Sequence, residues 1–527
     1  MSTTGAARWQ SVPAMTAAAA ERFGDQLAVV DGSTRLSYGD LRGAARTFGA
    51  ALVACGVEPG DRVAIWAFNS AEWVVSVLGL FEAGAVLVPV NTRFKGVEAA
   101  DILSRSAAKV LVTVSDFLGK DYVAMLRASE VELPELRTIV VARGHAPDGT
   151  SSWSSFLGHA TDTARAEVVR RSTAVTAEDV SDILFTSGTT GVSKGVVQTH
   201  ARTLRVATDW VAMTGLVAGD RYLMVNPYFH MFGLKAGILA SVVAGATMLP
   251  EAVFDVDRVL SRVAEERVTV LPGPPTLYQS ILDHPDRGRH DLSSLRVAVT
   301  GAADIPVELI RRVVDELPFP TIITGYGLTE GGTAAATSLG DDVDTIATTV
   351  GRPRPGFELR IVDDKGVDVP AGEPGEIVLR GGSIMSHYLD DPEATAQSLS
   401  EDGWLRTGDV GVVNEAGYVR IVGRAKDMFI VGGFNAYPAE IESALLRHPD
   451  IQQAAVIGIA DQRLGEVGVA FVVLRPRAMT SGGEIIRWSR EQMANYKVPR
   501  TVEVVDELPI GASGKVMKDV LRERAKA

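Results

Sequence analysis

The chain has 527 residues, of which 46% are hydrophobic and 22% are charged, and this balance excludes a disordered or fibrous protein. A single cysteine, Cys55, excludes an intramolecular disulfide and a zinc site built from several cysteines. The formal net charge of -13 lacks the basic surplus of a nucleic-acid or anionic-membrane binder. A local group of lysines and backbone amides could still bind a polyanion.

The sequence shows no targeting or membrane-spanning segment. The first ten residues contain no basic region followed by an apolar run, so no secretory signal is predicted. The longest uncharged apolar stretch, residues 236–249, is shorter than the ~18–20 residues that a membrane helix needs. We therefore predict a buried helix over residues 234–249 and a cytoplasmic protein.

Apolar strands alternate with helical patterns along most of the chain. Residues 62–67 and 86–90 read as strands around a helix at 71–83, and further strands follow at 268–271, 296–300 and 321–324. Near-continuous apolar strands joined by crossover helices predict a parallel, doubly wound α/β core. The polar residues 145–178 are interpreted as a surface connection.

The pattern changes after about Gly351, where strands become short and are separated by Gly, Asp and Asn turns. The last hundred residues predict a compact α+β unit with a helix that begins at Pro438. We place a domain boundary where the hairpins end, which gives an N-terminal domain of residues 1–425 and a C-terminal domain of residues 426–527.

A loop rich in glycine and hydroxyl groups follows the apolar residues 183–185. Glycine lets backbone N–H groups approach phosphate oxygens, hydroxyls add donors and lysine adds charge, so the loop predicts an anion site. A P-loop is disfavoured because Ser193 stands where the second glycine is required, and Gly195 stands where the magnesium-binding hydroxyl is required. The residues of this anion loop are Thr186, Ser187, Gly188, Thr189, Thr190, Gly191 and Lys194.

A second group of polar residues follows the strand at 321–324. Tyr326 can stack on a flat base, Thr329 can donate to a phosphate, and Glu330 can bind Mg²⁺, which prefers carboxylate and phosphate oxygens. Ligands of doubly wound folds bind at the carboxyl ends of the strands, which favours a binding role for this corner.

The anion loop resembles the phosphate-binding motif of the adenylate-forming superfamily, which contains acyl- and aryl-CoA synthetases, luciferases and peptide-synthetase adenylation domains. The resemblance extends from Leu36 to Lys515, with Ser193 at a position where the family usually has proline. Residues 227–237, 273–287 and 324–330 look most like actinobacterial CoA ligases of steroid breakdown. The implied fold is α/β, with doubly wound sheets and a small β-barrel-like subdomain in a large N-terminal domain, and a small mobile C-terminal α+β domain.

The resemblance also implies roles for individual residues. Lys515 would hold carboxylate and phosphate oxygens during adenylation, Asp409 would bind the ribose hydroxyls, and His230 would gate the acyl pocket. The implied catalytic residues are Lys515, Thr186, Glu330 and His230, with Glu330 as the metal ligand. Besides the anion loop, the implied nucleotide and CoA contacts are Gly301, Ala302, Ala303, Gly325, Tyr326, Gly327, Thr329, Asp409, Arg424, Lys426, Gly433 and Lys515, with Lys426 at the hinge. For Lys235, inside the predicted apolar helix, two readings stay open: it extends outward to solvent, or it meets a polar part of the substrate.

The implied function is an ATP-dependent carboxylate–CoA ligase that uses ATP, Mg²⁺ and coenzyme A and releases AMP and pyrophosphate. The expected acid is a steroid-derived methyl-dioxo-octahydroindene propanoate, and a medium- or long-chain fatty acid is the alternative. Transfer to a carrier protein, luciferase-like oxidation and a non-catalytic sensor are further alternatives, and the presence of Lys194, Glu330, Asp409 and Lys515 argues against the sensor. Neither a nucleic acid nor an integral membrane contact is expected, and a homodimer is left open.

Overall fold

A computed structural model of the chain describes residues 9–186, 193–301, 307–424, 427–431, 434–461, 463–493, 495–511 and 516–525. The helices of these residues are α1 Val12–Phe23, α2 Tyr38–Ala54, α3 Ala71–Glu82, α4 Gly96–Ser106, α5 Tyr122–Arg127, α6 Trp153–Leu157, α7 Asp162–Ala174, α8 His200–Thr214, the π-helix Phe232–Leu239, α9 Ala240–Ala244, α10 Val256–Glu265, α11 Pro275–Leu282, the 3₁₀ helix Arg287–Arg289, α12 Val307–Glu316, α13 Val343–Thr348, α14 Pro392–Ser398, α15 Pro438–Leu445, α16 Gly482–Gln492 and α17 Lys518–Arg524.

The strands of the described residues form four sheets. They are β1 Leu27–Asp31, β2 Thr34–Ser37, β3 Arg62–Trp66, β4 Val86–Pro89, β5 Val110–Val114, β6 Thr138–Arg143, β7 Ser151–Ser152, β8 Val180–Thr186, β9 Lys194–Thr199, β10 Arg221–Met224, β11 Thr247–Pro250, β12 Val270–Pro272, β13 Val297–Gly301, β14 Thr321–Leu328, β15 Gly332–Ala336, β16 Arg352–Pro353, β17 Phe357–Val362, β18 Gly375–Gly381, β19 His387–Tyr388, β20 Leu405–Val413, β21 Val419–Arg424, β22 Phe429–Val431, β23 Phe434–Ala436, β24 Ile451–Asp461, β25 Gly465–Leu474 and β26 Thr501–Val504.

The first large sheet has eight strands in the order β19-β9-β8-β4-β3-β5-β6-β7. The strands from β8 to β7 run parallel, whereas β9 pairs antiparallel with both β8 and β19. Every residue of β4 and β5 is buried, as expected for parallel strands that are covered on both faces. The predicted parallel α/β core is confirmed.

The second large sheet has nine strands in the order β16-β15-β14-β13-β12-β10-β11-β1-β2. Its central strands from β14 to β1 are parallel, and the strands at both edges are antiparallel. The largest apolar core joins the two sheets, because it contains buried side chains of both, such as Val88 and Ile323. A separate core packs the other face of the second sheet against α10, α11 and α12.

Two smaller antiparallel sheets complete the fold. Strands β17, β18, β20 and β21 form a four-stranded sheet, which is the predicted small β subdomain. Strands β22 to β26 form a five-stranded sheet, drawn entirely from residues after 428, with apolar cores on both faces. The predicted fold class is confirmed. No helix within the described ranges combines the length and the apolar character needed to cross a bilayer.

The helix predicted over residues 234–249 is wrong in type and in length. The structure instead has the π-helix, the short helix α9, a turn at Gly245 and the strand β11. The turn requires glycine at position 245 for two reasons. Gly245 adopts φ +80°, and a Cβ there would lie 2.6 Å from the ring of Phe23. The apolar run is continuous because both the helices and β11 are buried.

The surface connection predicted over residues 145–178 is also wrong, because this segment contains β7, α6 and α7. Helix α7 packs against α2 through a small core that contains Ala50, Ala164 and Val168. Arg171 on the same helix is buried and forms ion pairs with Glu58 and Glu167. The buried face is narrow and partly charged, so an apolar periodicity did not identify this helix.

Candidate active site

The anion loop lies between the strands β8 and β9, which pair antiparallel. Strand β8 ends at Thr186 and β9 begins at Lys194, and these two residues face each other across the ladder. The Thr186 hydroxyl donates to the Lys194 carbonyl oxygen at 3.4 Å. The predicted residues Ser187, Gly188, Thr189, Thr190 and Gly191 lie outside the described residues.

Lys194, Tyr388 and Glu330 form a linked polar group beside this hairpin. Strand β19 pairs with β9, and this pairing places the ring of Tyr388 5.0 Å from the Lys194 ammonium nitrogen. The Tyr388 hydroxyl donates to Glu330 Oε1 at 3.0 Å. Burial and then the Glu330 carboxylate raise the pKa of Tyr388, so its hydroxyl remains a neutral donor. The structure thus brings together a cation and a carboxylate that are 136 positions apart in the sequence, which is the difference between 330 and 194.

Sequence reasoning missed Tyr388 as a site residue. The segment Ser386–Tyr388 shows no glycine cluster, charge or strand ending that would single it out. Only the pairing of the two-residue strand β19 with β9 brings the ring to Lys194 and the hydroxyl to Glu330. A local pattern could not reveal this position.

Tyr326 and Asp409 form a second polar pair. The Tyr326 hydroxyl donates to Asp409 Oδ2 at 2.6 Å, and both side chains are buried. Asp409 lies inside β20, opposite Arg424 of β21. Its backbone N–H donates to the Thr407 hydroxyl at 3.1 Å. One carboxylate oxygen predicted to meet ribose therefore already accepts a protein hydroxyl.

Glycines at the ends of β13 and β14 allow close contact between backbones. Gly301 faces Gly325 across the parallel ladder, and a Cβ at Gly301 would lie 2.8 Å from the Gly325 carbonyl oxygen. A Cβ at Gly327 would lie 2.5 Å from the carbonyl oxygen of Gly332. These glycines are therefore required by strand packing, whatever ligand approaches them. Thr329 directly follows β14, and Ala302 and Ala303 lie outside the described residues.

The predicted pocket residues His230 and Lys235 have different surroundings. His230 is exposed, and its Nδ1 accepts from the Phe232 backbone N–H at 3.2 Å. Lys235 is only 1% exposed, and its ammonium nitrogen lies 2.8 Å from Asp182 Oδ1. Both readings of Lys235 are wrong, because the side chain faces neither solvent nor a ligand cleft but a buried carboxylate.

The contacts between the C-terminal part and the N-terminal part include a hydrogen bond and an apolar cluster. The Arg93 guanidinium donates to the Gly511 carbonyl oxygen at 3.2 Å, which brings the chain just before residues 512–515 next to the loop after β4. Tyr437 packs with Val410 and Val422 of the four-stranded sheet. The predicted residues Lys426, Gly433 and Lys515 lie outside the described residues.

The described site fits a nucleotide and a magnesium ion chemically. Thr186 and Gly301 lie at the carboxyl ends of β8 and β13, where doubly wound folds bind ligands. Gly325 is the last residue of β14 that pairs with β13. No group of three or more His, Cys, Asp or Glu residues that could hold a metal occurs within the described ranges. Mg²⁺ usually binds through one or two carboxylates together with substrate phosphates, so Glu330 beside the anion loop fits this ion.

Two family models match the chain, described as "AMP-binding enzyme" over residues 16–389 and "AMP-binding enzyme C-terminal domain" over residues 440–515. A relative from Rhodococcus jostii (strain RHA1) is 48% identical over 98% of this chain and 99% of its own. A relative from Mycobacterium tuberculosis (strain ATCC 25618 / H37Rv) is 49% identical over the same shares. Both carry the name "3-[(3aS,4S,7aS)-7a-methyl-1,5-dioxo-octahydro-1H-inden-4-yl]propanoyl:CoA ligase".

Solved structures support the same assignment. The anthranilate CoA ligase AuaEII, solved in complex with anthranoyl-AMP, superposes with a TM-score of 0.90 at 30% identity. The match covers 100% of this chain and 99% of the ligase. The chain therefore belongs to the AMP-binding enzyme family, and the prediction of an AMP-forming acid–thiol ligase is confirmed.

Proposed function

We propose that this protein joins coenzyme A to 3-(7a-methyl-1,5-dioxo-octahydroinden-4-yl)propanoate, at the expense of ATP. The observation that carries the proposal is the identity of 48% and 49%, over nearly the full chain, to two ligases named for this acid. The polar groups Lys194–Tyr388–Glu330 and Tyr326–Asp409 support it, because they supply a cation, two carboxylates and two neutral hydroxyl donors.

The individual roles of the site residues are part of this proposal. Lys194 and the anion loop bind the phosphates of ATP, with Thr186 at the base of the loop. Tyr326 and Asp409 bind the nucleoside, with Arg424 beside them, and Lys515 holds the reacting oxygens. Glu330 would hold Mg²⁺, which neutralises phosphate charge when bound, and Tyr388 orients that carboxylate through its hydrogen bond.

The reaction proceeds in two half-reactions. An oxygen of the acid attacks the α-phosphorus of ATP, a P–O bond forms, and the bond to pyrophosphate breaks. The thiol sulfur of coenzyme A then attacks the acyl carbon, the bond to AMP breaks, and the thiol proton passes to solvent. The first step brings two anions together, so positioning and charge neutralisation supply most of its catalysis.

We also propose that residues 426–527 form a mobile domain that rotates about Lys426 between the two half-reactions. Two observations support this division: the five-stranded sheet is drawn only from residues after 428, and the two family models leave residues 390–439 between their matches. Rotation would exchange Lys515 for Gly433 at the cleft. Arg93→Ala removes the 3.2 Å contact between the Arg93 guanidinium and the Gly511 carbonyl oxygen, and it is expected to slow adenylation more than thioester formation.

A cytoplasmic location and a homodimer complete the proposal. The location is consistent with the absence of a membrane-spanning helix among the described residues. Light scattering after size-exclusion chromatography distinguishes a monomer of 56.0 kDa from a dimer of twice that mass.

The test of the function is a mass-spectrometric assay with ATP, Mg²⁺, coenzyme A and a mixture of acids. The mixture contains the indanepropanoate, anthranilate, and fatty acids of medium and long chain. A single dominant indanepropanoyl-CoA with stoichiometric AMP is the expected result. A dominant fatty acyl-CoA would overturn the acid, and AMP without thioester would overturn coenzyme A as acceptor.

A further inference from the structure

Lys235 and Asp182 form a fully buried ion pair next to the site. The exposed fraction is 1% for Lys235 and 0% for Asp182, and the ammonium nitrogen lies 2.8 Å from Asp182 Oδ1. Burial lowers the pKa of Lys235, and the Asp182 carboxylate opposes that shift. Lysine is rarely buried to this degree unless it is paired with an opposite charge, and Asp182 supplies that charge here.

The second oxygen of Asp182 is also fully engaged. Asp182 Oδ2 accepts hydrogen bonds from the Ser181 hydroxyl at 2.7 Å and the Thr203 hydroxyl at 2.5 Å. Thr203 lies on α8, Asp182 on β8, and Lys235 on the π-helix. The carboxylate therefore connects three elements through directional contacts rather than through packing alone.

Two of these three elements, β8 and the π-helix, are adjacent in the chain to residues of the proposed site. Strand β8 continues from Asp182 to Thr186, at the base of the anion loop. The π-helix begins just after His230, and its Gly233 is pressed onto the preceding loop, where a Cβ would lie 2.1 Å from the Pro227 carbonyl oxygen. Movement of the π-helix would therefore move the loop that carries His230.

Buried ion pairs often contribute little net stability compared with apolar side chains of similar size, and in some proteins they select one arrangement of the chain. π-Helical segments are frequent at functional sites. We propose that Lys235 and Asp182 are positioning residues for adenylation. Their ion pair sets the distance between the loop that carries His230, on the acyl side of the cleft, and the strand that carries the anion loop. This inference rests on the ligase function proposed above.

The first test replaces both partners at once, with Lys235→Met and Asp182→Asn. This double variant leaves no uncompensated buried charge, so its melting temperature is expected to lie close to that of the wild type. Its kcat for acid-dependent pyrophosphate exchange is expected to fall about tenfold or more, because small displacements of reacting groups are costly, while the KM for ATP changes less. A folded double variant with the wild-type kcat would overturn the proposal.

A milder variant decides the question even where the double variant does not fold. Thr203→Val keeps both charges and removes one donor to Asp182 Oδ2, together with the 3.1 Å hydrogen bond that the Thr203 hydroxyl accepts from Ser181. Thr208→Val is the matched control, because the Thr208 hydroxyl on the same helix donates only to carbonyl oxygens of residues 204 and 205. Thr203→Val is expected to lower the melting temperature by a few degrees and to lower kcat several-fold, and equal kcat values in the two variants would count against positioning.

Amide hydrogen exchange separates failure of this inference from failure of the proposed substrate. Mg-ATP alone, without any acid, is expected to slow exchange in peptides covering residues 227–239 of the wild type, and to slow it much less in the double variant. If the wild type activates none of the acids, the substrate proposal fails. The exchange rates of the wild type and the double variant can still be compared, because this experiment uses no acid. Equal protection in both proteins, or none in the wild type, would show that the pair does not couple the two sides.

Discussion

Two lysines illustrate how differently this fold uses the same side chain. Lys194 lies at the start of β9, is partly exposed, and places its ammonium nitrogen 5.0 Å from the centre of the Tyr388 ring. Lys235 lies in the π-helix, is buried, and pairs with Asp182 at 2.8 Å. An aromatic face leaves a cation free to bind an anion, whereas a buried carboxylate within contact distance already neutralises it. The partner and the solvent exposure, rather than the residue type, decide which lysine is available to a ligand.

The largest expected difference between the two lysines concerns stability. Asp182→Asn leaves the Lys235 ammonium buried without its counter-charge, and we expect a loss of about 3–5 kcal/mol in the free energy of unfolding. Lys194→Met, at a partly exposed position, is expected to change it by less than about 0.5 kcal/mol. Urea unfolding followed by circular dichroism measures both. If Asp182→Asn were as stable as Lys194→Met, the buried charge of Lys235 would not depend on Asp182 for its stability.

The buried surroundings of Asp182 also predict that the free energy of unfolding depends on pH. Burial lowers the pKa of His200 from 6.5 to about 4, against the opposing effect of Asp182, and its Nδ1 accepts from the Val12 backbone N–H at 3.4 Å. The folded protein keeps His200 neutral where the unfolded chain binds a proton. Its contribution to stability is therefore complete above pH 6.5 and is lost as the pH falls towards 4.

We expect His200 to account for about 2 kcal/mol of the stability lost between pH 7 and pH 5. Urea unfolding at both pH values, in the wild type and in His200→Gln, measures this contribution, since all other groups titrate in both proteins. Equal losses in the two proteins would show that His200 is not held neutral.

For Lys194, we expect a substitution to change the KM for ATP without changing the folding of the protein. Lys194→Met is expected to raise the KM for ATP about tenfold, because a charge-assisted contact to phosphate is worth about 1.5–3 kcal/mol. Pyrophosphate exchange at varied ATP concentrations measures it. Lys365→Met, on an exposed turn of the four-stranded sheet, is the control and is expected to behave as the wild type. An unchanged KM in Lys194→Met would mean that this lysine does not meet the phosphates.

The smallest expected effect concerns Tyr388, which joins Lys194 to Glu330, the proposed metal ligand. Tyr388→Phe removes the donor to Glu330 Oε1, and the loss of one hydrogen bond, about 0.5–1.5 kcal/mol, is expected to weaken the apparent Mg²⁺ affinity several-fold. Tyr418→Phe is the matched control, since the Tyr418 hydroxyl, just before β21, donates to Asp341 at 2.8 Å and makes no contact with Glu330. Titration of Mg²⁺ in the exchange assay separates the two variants, and identical curves would exclude a role of Tyr388 in holding Glu330.

Much of the fold could be predicted from local patterns. The strands β3 and β4 and the helix α3 lie within one residue of their predicted ends, because parallel strands that are buried on both faces produce continuous apolar runs. The predicted elements were wrong where the spacing of apolar residues did not match the buried face of a helix or strand. Helix α7 buries Arg171 through ion pairs, and residues 234–249 are apolar over two helical segments and a strand alike.

The site shows the same division. Thr186, Lys194, Tyr326 and Glu330 could be selected from glycine-rich or hydroxyl-rich segments after strands, because such segments have a composition suited to anions. Tyr388 and Asp182 could not, because their importance depends on partners far away in the sequence: Glu330 for Tyr388, and Lys235 for Asp182.

The sequence by itself determined the alternation of strands and helices, the anion loop and the family, since each of these depends on residues that are close together along the chain. The tertiary structure decided that Lys235 is a buried partner of Asp182 and that Tyr388 links Lys194 to Glu330. It also placed Asp409 within hydrogen-bonding distance of Tyr326. The physical reason is that exposure and charge pairing are properties of the packed chain: a lysine in an apolar segment has the same local pattern whether its ammonium group reaches water, a ligand or a carboxylate on another strand.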